Sequence, residues 1–358
     1  MPVFEMHIPL AIGLRLLNRT PAAWNTPLQL DLWSEGKAPG LDRRIAADLL
    51  ELHRGLGLDV IRCPSSAETP RSVRKINDET WLLNGVRYSW LSGSLWRREW
   101  PNVKPETVAE ENRAGTDETR EGLMENLSVL RRLKSLASDE FFLTYDADGS
   151  WGPVVSNPPL LQNVLQWMYT QPSLVEDMLD SFTSAAVRLG EAALDEGADA
   201  ILMCVDYGHS GGPWMRPDHF KRFVKPRLKR QCEAFRRRGG FTVLHSDGNI
   251  APVLADVVDA GIDAYQGIDV HAGMDLQSVK ELYGSRIALI GNVSPHVLEF
   301  GSGLDVEREV ARCLNAAAPG GGYILSASAN ISIGTNLRNF RTMLERARRS
   351  GSYPAGTS

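Results

Sequence analysis

Cysteine is scarce in this sequence: its 358 residues include four cysteines, Cys63, Cys204, Cys232 and Cys313, which lie far apart and form no CxxC pair. This pattern excludes a thiolate-only zinc finger and agrees with a reducing compartment, so we expect a cytoplasmic protein. The sequence also lacks any apolar run near the roughly 18 residues of a membrane-spanning helix. Its start has neither a basic n-region nor a long apolar h-region, so secretion is not expected. A net charge of −5 argues against a nucleic-acid binder, which would usually be basic.

Short apolar runs recur along the chain, and several follow a helix-like stretch that ends in a glycine. This alternation is typical of strands and helices around a mostly parallel sheet. The runs number eight, at residues 3–8, 59–63, 141–145, 200–205, 241–245, 264–268, 287–291 and 323–326. Eight βα units predict an α/β fold, a single (β/α)8 TIM barrel over residues 1–350. A doubly wound sheet uses the same units, but its GxGxxG fingerprint does not occur here between a strand and a helix.

Two segments lie outside this repeat. Residues 80–101 carry four tryptophans around Asn84-Gly85, a type I′ turn signal, and predict a β-hairpin insertion between the second and third βα units. Packing on the barrel, a lid over its mouth and a homodimer contact are the open alternatives for this hairpin. The last residues, 351–358, are rich in Gly, Ser and Pro and are predicted to form a disordered tail.

Polar side chains close nearly every predicted strand, at the barrel end where the chemistry of such folds lies. We predict from this position that Glu5, Asp206, His245 and Asp247 are catalytic. Six further strand-end residues are predicted to bind a small-molecule substrate: Tyr145, Asp148, Tyr207, Asp269, Asn292 and Ser328.

The sharpest local pattern is His245-Ser246-Asp247-Gly248. Residues i and i+2 of a strand face the same side, so His245 and Asp247 can point together into the barrel and either ligate a metal or act as an acid/base pair. The alternative is that Asp247 caps the helix beginning near Ala251, while His245 is a hydrogen-bonded structural residue. Asp206 ends a strongly apolar strand, where a carboxylate is costly without a partner or a function.

A series of motifs resembles the uroporphyrinogen decarboxylase superfamily, which includes the corrinoid (methylcobamide) methyltransferases. The resemblance covers almost the whole chain and implies a TIM barrel. The motifs are Pro2-Val3-Phe4-Glu5, Gly197-Ala198-Asp199-Ala200 leading to Asp206, Arg216-Pro217-x-x-Phe220-x-x-Phe223-x-x-Pro226-x-x-Lys229, His245-Ser246-Asp247-Gly248, Gly291-Asn292-Val293, Gly321-Gly322-Tyr323-Ile324-Leu325 and Asn339.

The chain departs from both characterised branches of that superfamily. The resemblance to the decarboxylases lacks their arginine-rich N-terminal segment and their aspartate after the second strand, where this chain has Arg62-Cys63-Pro64. The zinc methyltransferases carry an H-x-C-G motif and a second cysteine, and here Asp247 and Ala329 stand at those two places. These departures argue against a zinc-thiolate centre, and a metal site of His245 and Asp247, completed by Glu5, is the alternative left open.

Three functions follow as hypotheses. The first is a methyltransferase-like enzyme that moves a methyl group between a small methylated substrate and a corrinoid or pterin carrier, with a corrinoid protein as partner. The second is a decarboxylase-like lyase that acts on a carboxylated substrate and requires no cofactor, with Asp206 or Asp247 stabilising a protonated intermediate. The third is a non-catalytic binding protein on this scaffold, suggested by Ala329.

Overall fold

In a computed structural model of the protein, the main sheet has seven parallel strands. The structure describes residues 1–64, 72–91, 93–100, 104–107, 120–137 and 139–351, so the predicted tail, apart from Gly351, lies outside the described residues. Along the sheet the order is β1, β6, β7, β10, β11, β12 and β13. These strands are β1 (Val60–Cys63), β6 (Phe142–Asp146), β7 (Ala200–Cys204), β10 (Phe241–Ser246), β11 (Ala264–Gly267), β12 (Ala288–Val293) and β13 (Tyr323–Ala327).

Helices separate these strands and bury one apolar stripe each. In α3, for example, Ile45, Leu49, Leu52 and Leu56 are buried at helical spacing, and Gly57 ends the helix in the left-handed conformation, directly before β1. Among the described residues, no helix combines the length and apolar composition that crossing a bilayer needs. The helices are α1 (Leu10–Leu17), α2 (Thr26–Ser34), α3 (Leu41–Leu56), α4 (Arg120–Asn126), α5 (Ser128–Ala137), α6 (Gly152–Val155), α7 (Pro158–Thr170), α8 (Pro172–Asp195), α9 (Pro217–His219), α10 (Lys225–Arg237), α11 (Ala251–Asp259), α12 (Leu276–Tyr283), α13 (Pro295–Phe300), α14 (Gly303–Ala317) and α15 (Leu337–Ser350), with a π-helical turn at Phe220–Val224 and a 3₁₀ turn at Val270–Ala272.

The first predicted strand, residues 3–8, is not a strand in the structure. Val3 forms an isolated parallel bridge with Leu325 of β13, and its carbonyl accepts a hydrogen bond from Asp59, the residue before β1. The next donor along β13, the N–H of Ala327, bonds to the carboxylate of Glu5 instead of a backbone carbonyl, so the ladder ends there. Residues 2–4 therefore link the two outer strands of the sheet.

The segment where we predict a hairpin, residues 80–101, contains three strands of a four-stranded antiparallel meander, whose first strand lies just before it. The second and third strands of the meander pair across Asn84 and Gly85, and the meander lies between β1 and β6 in the chain. Residues 92 and 101 lie outside the described part. The strands are β2 (Val73–Asn77), β3 (Thr80–Leu83), β4 (Val86–Leu91) and β5 (Ser94–Arg97); a short hairpin, β8 (Gly208–His209) and β9 (Gly212–Pro213), follows β7.

Two buried clusters lie on the two faces of the main sheet. The larger cluster packs the helices on the outer face. The smaller one fills the inner face with one residue from most strands, and it comprises Phe4, Met6, Val60, Ala200, Leu202, Val243, Ala264 and Ile290. Because successive strand side chains alternate between faces, this cluster identifies which residues point inward at the next layer.

Candidate active site at the carboxyl ends of the strands

The inward layer above the small cluster is polar. Two residues beyond Val60, Leu202, Val243, Ala264 and Ile290, the same strand faces carry a different kind of side chain at the carboxyl ends of the strands. Those side chains are Arg62, Cys204, His245, Gln266 and Asn292.

Asp206, His245 and Asp247 come together in this layer. Their ligand atoms all lie within 4.8 Å of one another. Nε2 of His245 lies 3.8 Å from Oδ1 of Asp206 and 3.8 Å from Oδ1 of Asp247. The imidazole is 8% exposed and the carboxylates 43% and 39%, so the cluster is open to a substrate on its carboxylate side. Asp206 also accepts a hydrogen bond from the N–H of Asp247, at 2.9 Å, which ties the loop after β7 to that after β10.

His245 is held from its other ring nitrogen by a residue that our sequence reasoning did not identify. Nδ1 of His245 hydrogen-bonds to Oε1 of Gln266, its register partner on β11. The amide nitrogen of Gln266 donates in turn to the carbonyl of Ala327, at 3.1 Å. Gln266 lies two residues after Ala264, so the sequence spacing alone places both on the same face of β11. The contact of Gln266 with His245 depends in addition on the register of β10 and β11.

The electrostatics of Asp247 differ from those of an ordinary carboxylate. Its pKa is raised to about 6: burial is the largest cause, the interaction with His245 opposes it, and the nearby charges of Asp206 and Asp269 contribute to the rise. Its Oδ1 atom is buried and accepts no hydrogen bond within the described part of the chain. An acceptor in that state either attracts a ligand or carries a proton.

Gly248 explains why the motif ends in glycine. Its φ is +79°, and a Cβ added there would lie 2.6 Å from backbone atoms of Gly208 and His209. The turn after Asp247 therefore passes directly against the β8 strand, where no side chain fits.

A second charged group lies on the neighbouring strands. The guanidinium of Arg62 binds the carboxylate of Asp146 through Nε, at 3.0 Å, and through Nη2, with both side chains mostly buried. Burial and the Asp146 charge raise the pKa of Asp148, whose carboxylate accepts a hydrogen bond from the N–H of Cys204. The negative charge of Asp206 also raises the pKa of Asp148. Asp148 therefore couples the Arg62–Asp146 pair electrostatically to the cluster of Asp206, His245 and Asp247.

Glu5 lies apart from the three-residue cluster. Its carboxylate is fully buried and accepts a bond from Ala327, and burial raises its pKa well above the ordinary value. It connects to His245 only through the backbone of Ala327 and the amide of Gln266. Asp206, rather than Glu5, is the third residue of the cluster with His245 and Asp247.

The two tyrosines predicted to bind substrate lie in the outer core. The hydroxyl of Tyr145 donates to the carbonyl of Asn126, at 3.0 Å, and the ring is fully buried. The ring of Tyr207 packs edge-on against Phe220, with 5.1 Å between centroids. Tyr145 points to the outer face of the sheet, because it lies two residues after Leu143, which belongs to the outer cluster.

Of the remaining predicted residues, Asp269 and Asn292 make structural contacts at the same rim. Asp269 caps the 3₁₀ turn through His271 and also accepts from Gly248. The side chain of Asn292 donates to the carbonyl of Ile268 at 2.8 Å and accepts from Arg312 at 2.9 Å. Ser328 is buried, and its hydroxyl has no hydrogen-bond partner among the described residues.

Comparison with known proteins identifies one family, and the similar proteins have two different activities. The profile of the family described as Uroporphyrinogen decarboxylase (URO-D) matches residues 159–350. A methylcobamide:CoM methyltransferase of Methanosarcina barkeri is 27% identical over 199 residues, covering 55% of this chain and 56% of that protein. A uroporphyrinogen decarboxylase of Thermus thermophilus is 28% identical over 178 residues, covering 50% of this chain and 49% of that protein. The chain thus matches about half the length of these curated relatives.

One solved structure covers nearly the whole chain. A methyltransferase from Methanosarcina mazei superposes with a TM-score of 0.69 at 20% identity, over 98% of this chain and 94% of the other. At that identity the likeness establishes a shared fold.

Proposed function

The chain belongs to the uroporphyrinogen decarboxylase family, and on that premise we propose that it is a methyl-transferring enzyme with Asp206, His245 and Asp247 at its reaction centre. It moves a methyl group between a small methylated substrate and a corrinoid or pterin carrier, and a corrinoid protein is its partner. Residues 1–350 form one domain, in which residues 2–4 link the two outer strands of the seven-stranded sheet. The match to a methylcobamide:CoM methyltransferase supports the carrier class.

The convergence of two carboxylates on one oriented imidazole carries the proposal. Two carboxylate oxygens and one imidazole nitrogen within 4.8 Å form a donor set that divalent first-row metals accept. The buried Oδ1 of Asp247, which accepts no bond from the described residues, fits a ligand position. We therefore assign Asp206, His245 and Asp247 as the residues that would hold a divalent cation. Such a cation would supply Lewis-acid polarisation of a substrate oxygen or nitrogen.

The chain's own groups orient the substrate and control protons. His245 presents Nε2 to the centre because Nδ1 is engaged by Gln266. When no cation is bound, Asp247, with its pKa raised to about 6, can take up or release a proton near neutral pH. The set offers two oxygen ligands and one nitrogen ligand but no thiolate, which distinguishes it from a zinc-thiolate centre and favours a substrate bound through an oxygen or nitrogen atom over one bound through a thiol.

An anaerobic assay tests the proposal. The purified chain is incubated with Zn²⁺, Co²⁺ or Mn²⁺, cob(I)alamin and a panel of methyl ethers, methanol and methylamines, and methyl-cobalamin is followed by its absorbance. We expect product from at least one donor, loss of it in His245→Ala and Asp247→Ala, and retention in Thr242→Val. Thr242 is the matched control because it is buried on the same strand at the opposite end. No methyl-cobalamin across the panel contradicts the proposal.

A decarboxylase is the second candidate, and the state of Asp148 favours it. A carboxyl with a raised pKa beside the guanidinium of Arg62 can deliver a proton to the carbon that loses carbon dioxide. The similarity to uroporphyrinogen decarboxylases points the same way. Incubation with uroporphyrinogen and measurement of released carbon dioxide separates the two, because the decarboxylase requires neither cob(I)alamin nor an added cation. If neither reaction occurs but ligand binding is found, the chain is a binding protein on this scaffold.

A further inference from the structure

The hydrogen bonds around Gln266 leave its amide one orientation. Its nitrogen donates to the carbonyl of Ala327, which can only accept. The same carbonyl also accepts from the hydroxyl of Ser326, at 3.0 Å. Reversing the amide would place the Gln266 oxygen against this carbonyl oxygen and lose the bond. The amide oxygen of Gln266 must therefore face His245.

An amide oxygen facing a ring nitrogen determines the tautomer of a neutral histidine. Because Oε1 can only accept, Nδ1 of His245 must carry the proton. The lone pair then lies on Nε2, the nitrogen that faces Asp206 and Asp247. Both Gln266 and His245 are almost fully buried, so water does not compete for these bonds.

We infer that Gln266 is a positioning residue that holds His245 in the Nδ1-protonated tautomer and so makes Nε2 available as the metal ligand. Gln266 touches neither substrate nor cation in this role, and it acts only through His245. The inference rests on the proposed function for the cation, but the tautomer of His245 is a property of the protein without metal.

The partner strand supports this role over simple packing. Gln266 directly faces His245 in the register of β10 and β11. On β13, two further hydrogen bonds hold Ala327: its N–H donates to the carboxylate of Glu5, and its carbonyl accepts from the hydroxyl of Ser326. The orientation of His245 is thus anchored across three strands. A ligand histidine commonly donates its second N–H to such a group, and losing that group usually costs about 10–100-fold in metal affinity.

The test measures the tautomer first and the cation second. Long-range ¹⁵N–¹H spectra of the metal-free protein, with His245 assigned by comparison with His245→Ala, report which ring nitrogen is protonated. Isothermal titration then gives the affinity for Zn²⁺ and Co²⁺. The variants are Gln266→Met, which keeps the volume and removes the strong acceptor, and Gln266→Glu, which keeps an acceptor facing Nδ1 but loses the donor to Ala327. Thr242→Val is the control for a buried change on β10.

We expect Nδ1 protonation in the native chain and in Gln266→Glu, and a mixture of tautomers in Gln266→Met. Affinity for Zn²⁺ should fall about 10–100-fold in Gln266→Met and be retained in Gln266→Glu and Thr242→Val. Nδ1 protonation that persists in Gln266→Met, or Nε2 protonation in the native chain, overturns the inference. Failure of methyl transfer alongside the expected spectra would overturn the proposed function and leave the inference standing. If Gln266→Met does not fold, Gln266→Glu still decides, because loss of the Nδ1 proton there contradicts the inference.

Discussion

The carboxylate of Glu5 accepts a hydrogen bond from the N–H of Ala327, 3.2 Å away, across a sequence separation of 322 residues. Glu5 is fully buried, and burial raises its pKa well above the ordinary value. A carboxyl whose pKa is raised on folding favours the folded state at low pH, and this contribution is lost as the pH rises through the folded pKa.

Glu5→Gln should therefore be more stable than the native chain at alkaline pH. The glutamine oxygen can still accept from Ala327, and it needs no proton to remain neutral. The advantage should grow by up to about 1.4 kcal/mol per pH unit above the unfolded pKa, until the folded pKa is passed. Denaturant titrations at several pH values measure it, with the exposed Glu345→Gln as control. A constant difference between the two chains at every pH would contradict the prediction.

His53 should make the fold sensitive to acid. Its ring is buried in α3, Nδ1 donates to the carbonyl of Leu49, and burial lowers its pKa to about 4. The neutral form is favoured on folding, so stability is full above the unfolded pKa near 6.5 and is lost as the pH falls toward 4. We expect a loss of about 2 kcal/mol at about pH 5. His53→Gln should remove that part of the slope; an unchanged slope in denaturant titrations argues against it.

Gly248→Ala should destabilise the protein and weaken cation binding together. The added methyl group would lie 2.6 Å from the Gly208 and His209 backbone, which is closer than van der Waals contact, so the loop after β7 that follows Asp206 must move. We expect a loss of about 1–3 kcal/mol from strain at a positive φ and from this contact. Thermal unfolding and Zn²⁺ titration measure the two effects. Gly85→Ala, at a turn where a Cβ meets nothing within 4 Å, should cost stability and leave Zn²⁺ affinity unchanged.

Arg62 and Asp146 should behave as one unit. Arg62→Met leaves the mostly buried carboxylate of Asp146 without its partner, which we expect to cost about 3 kcal/mol in the free energy of unfolding. Asp146→Asn in the same chain removes the uncompensated charge and should recover much of that loss. A double-mutant cycle by chemical denaturation measures the coupling. Additive losses would show that the two side chains do not support each other.

Cation binding should stabilise the native chain. If Asp206, His245 and Asp247 hold the ion only when folded, Zn²⁺ at about 100 times its Kd adds about 2.7 kcal/mol. The rise in melting temperature should be reversed by EDTA and absent in His245→Ala. An equal rise in the alanine variant would place the ion elsewhere.

The spacing of apolar residues and their position along the chain predict much of this structure from the sequence alone. The apolar runs locate the seven strands of the main sheet, since a buried parallel strand has few other compositions. The same pattern misidentifies residues 3–8, because the pairing there ends when the side chain of Glu5 takes the place of a backbone carbonyl. No local sequence pattern indicates that a side chain replaces the backbone carbonyl there.

The candidate site is predictable in part for a similar reason. Residues at strand ends are visible in the sequence, but whether they face inward depends on parity relative to the inner cluster. Tyr145 has the outward parity, whereas His245 has the inward one. The contact between His245 and Gln266 depends in addition on the register of β10 and β11, which no single-strand pattern contains.

The contact between the first residues and β13 also has a consequence for folding kinetics. It joins Glu5 to Ala327, so it forms only after nearly the whole chain is available. Pairing over such separations is intrinsically slow. Until then the last strand formed has no partner on its outer side, and an unpaired strand edge is the kind of surface on which nascent chains aggregate. We expect ribosome-bound chains that end before β13 to depend on chaperones, and release of the completed chain to relieve that dependence.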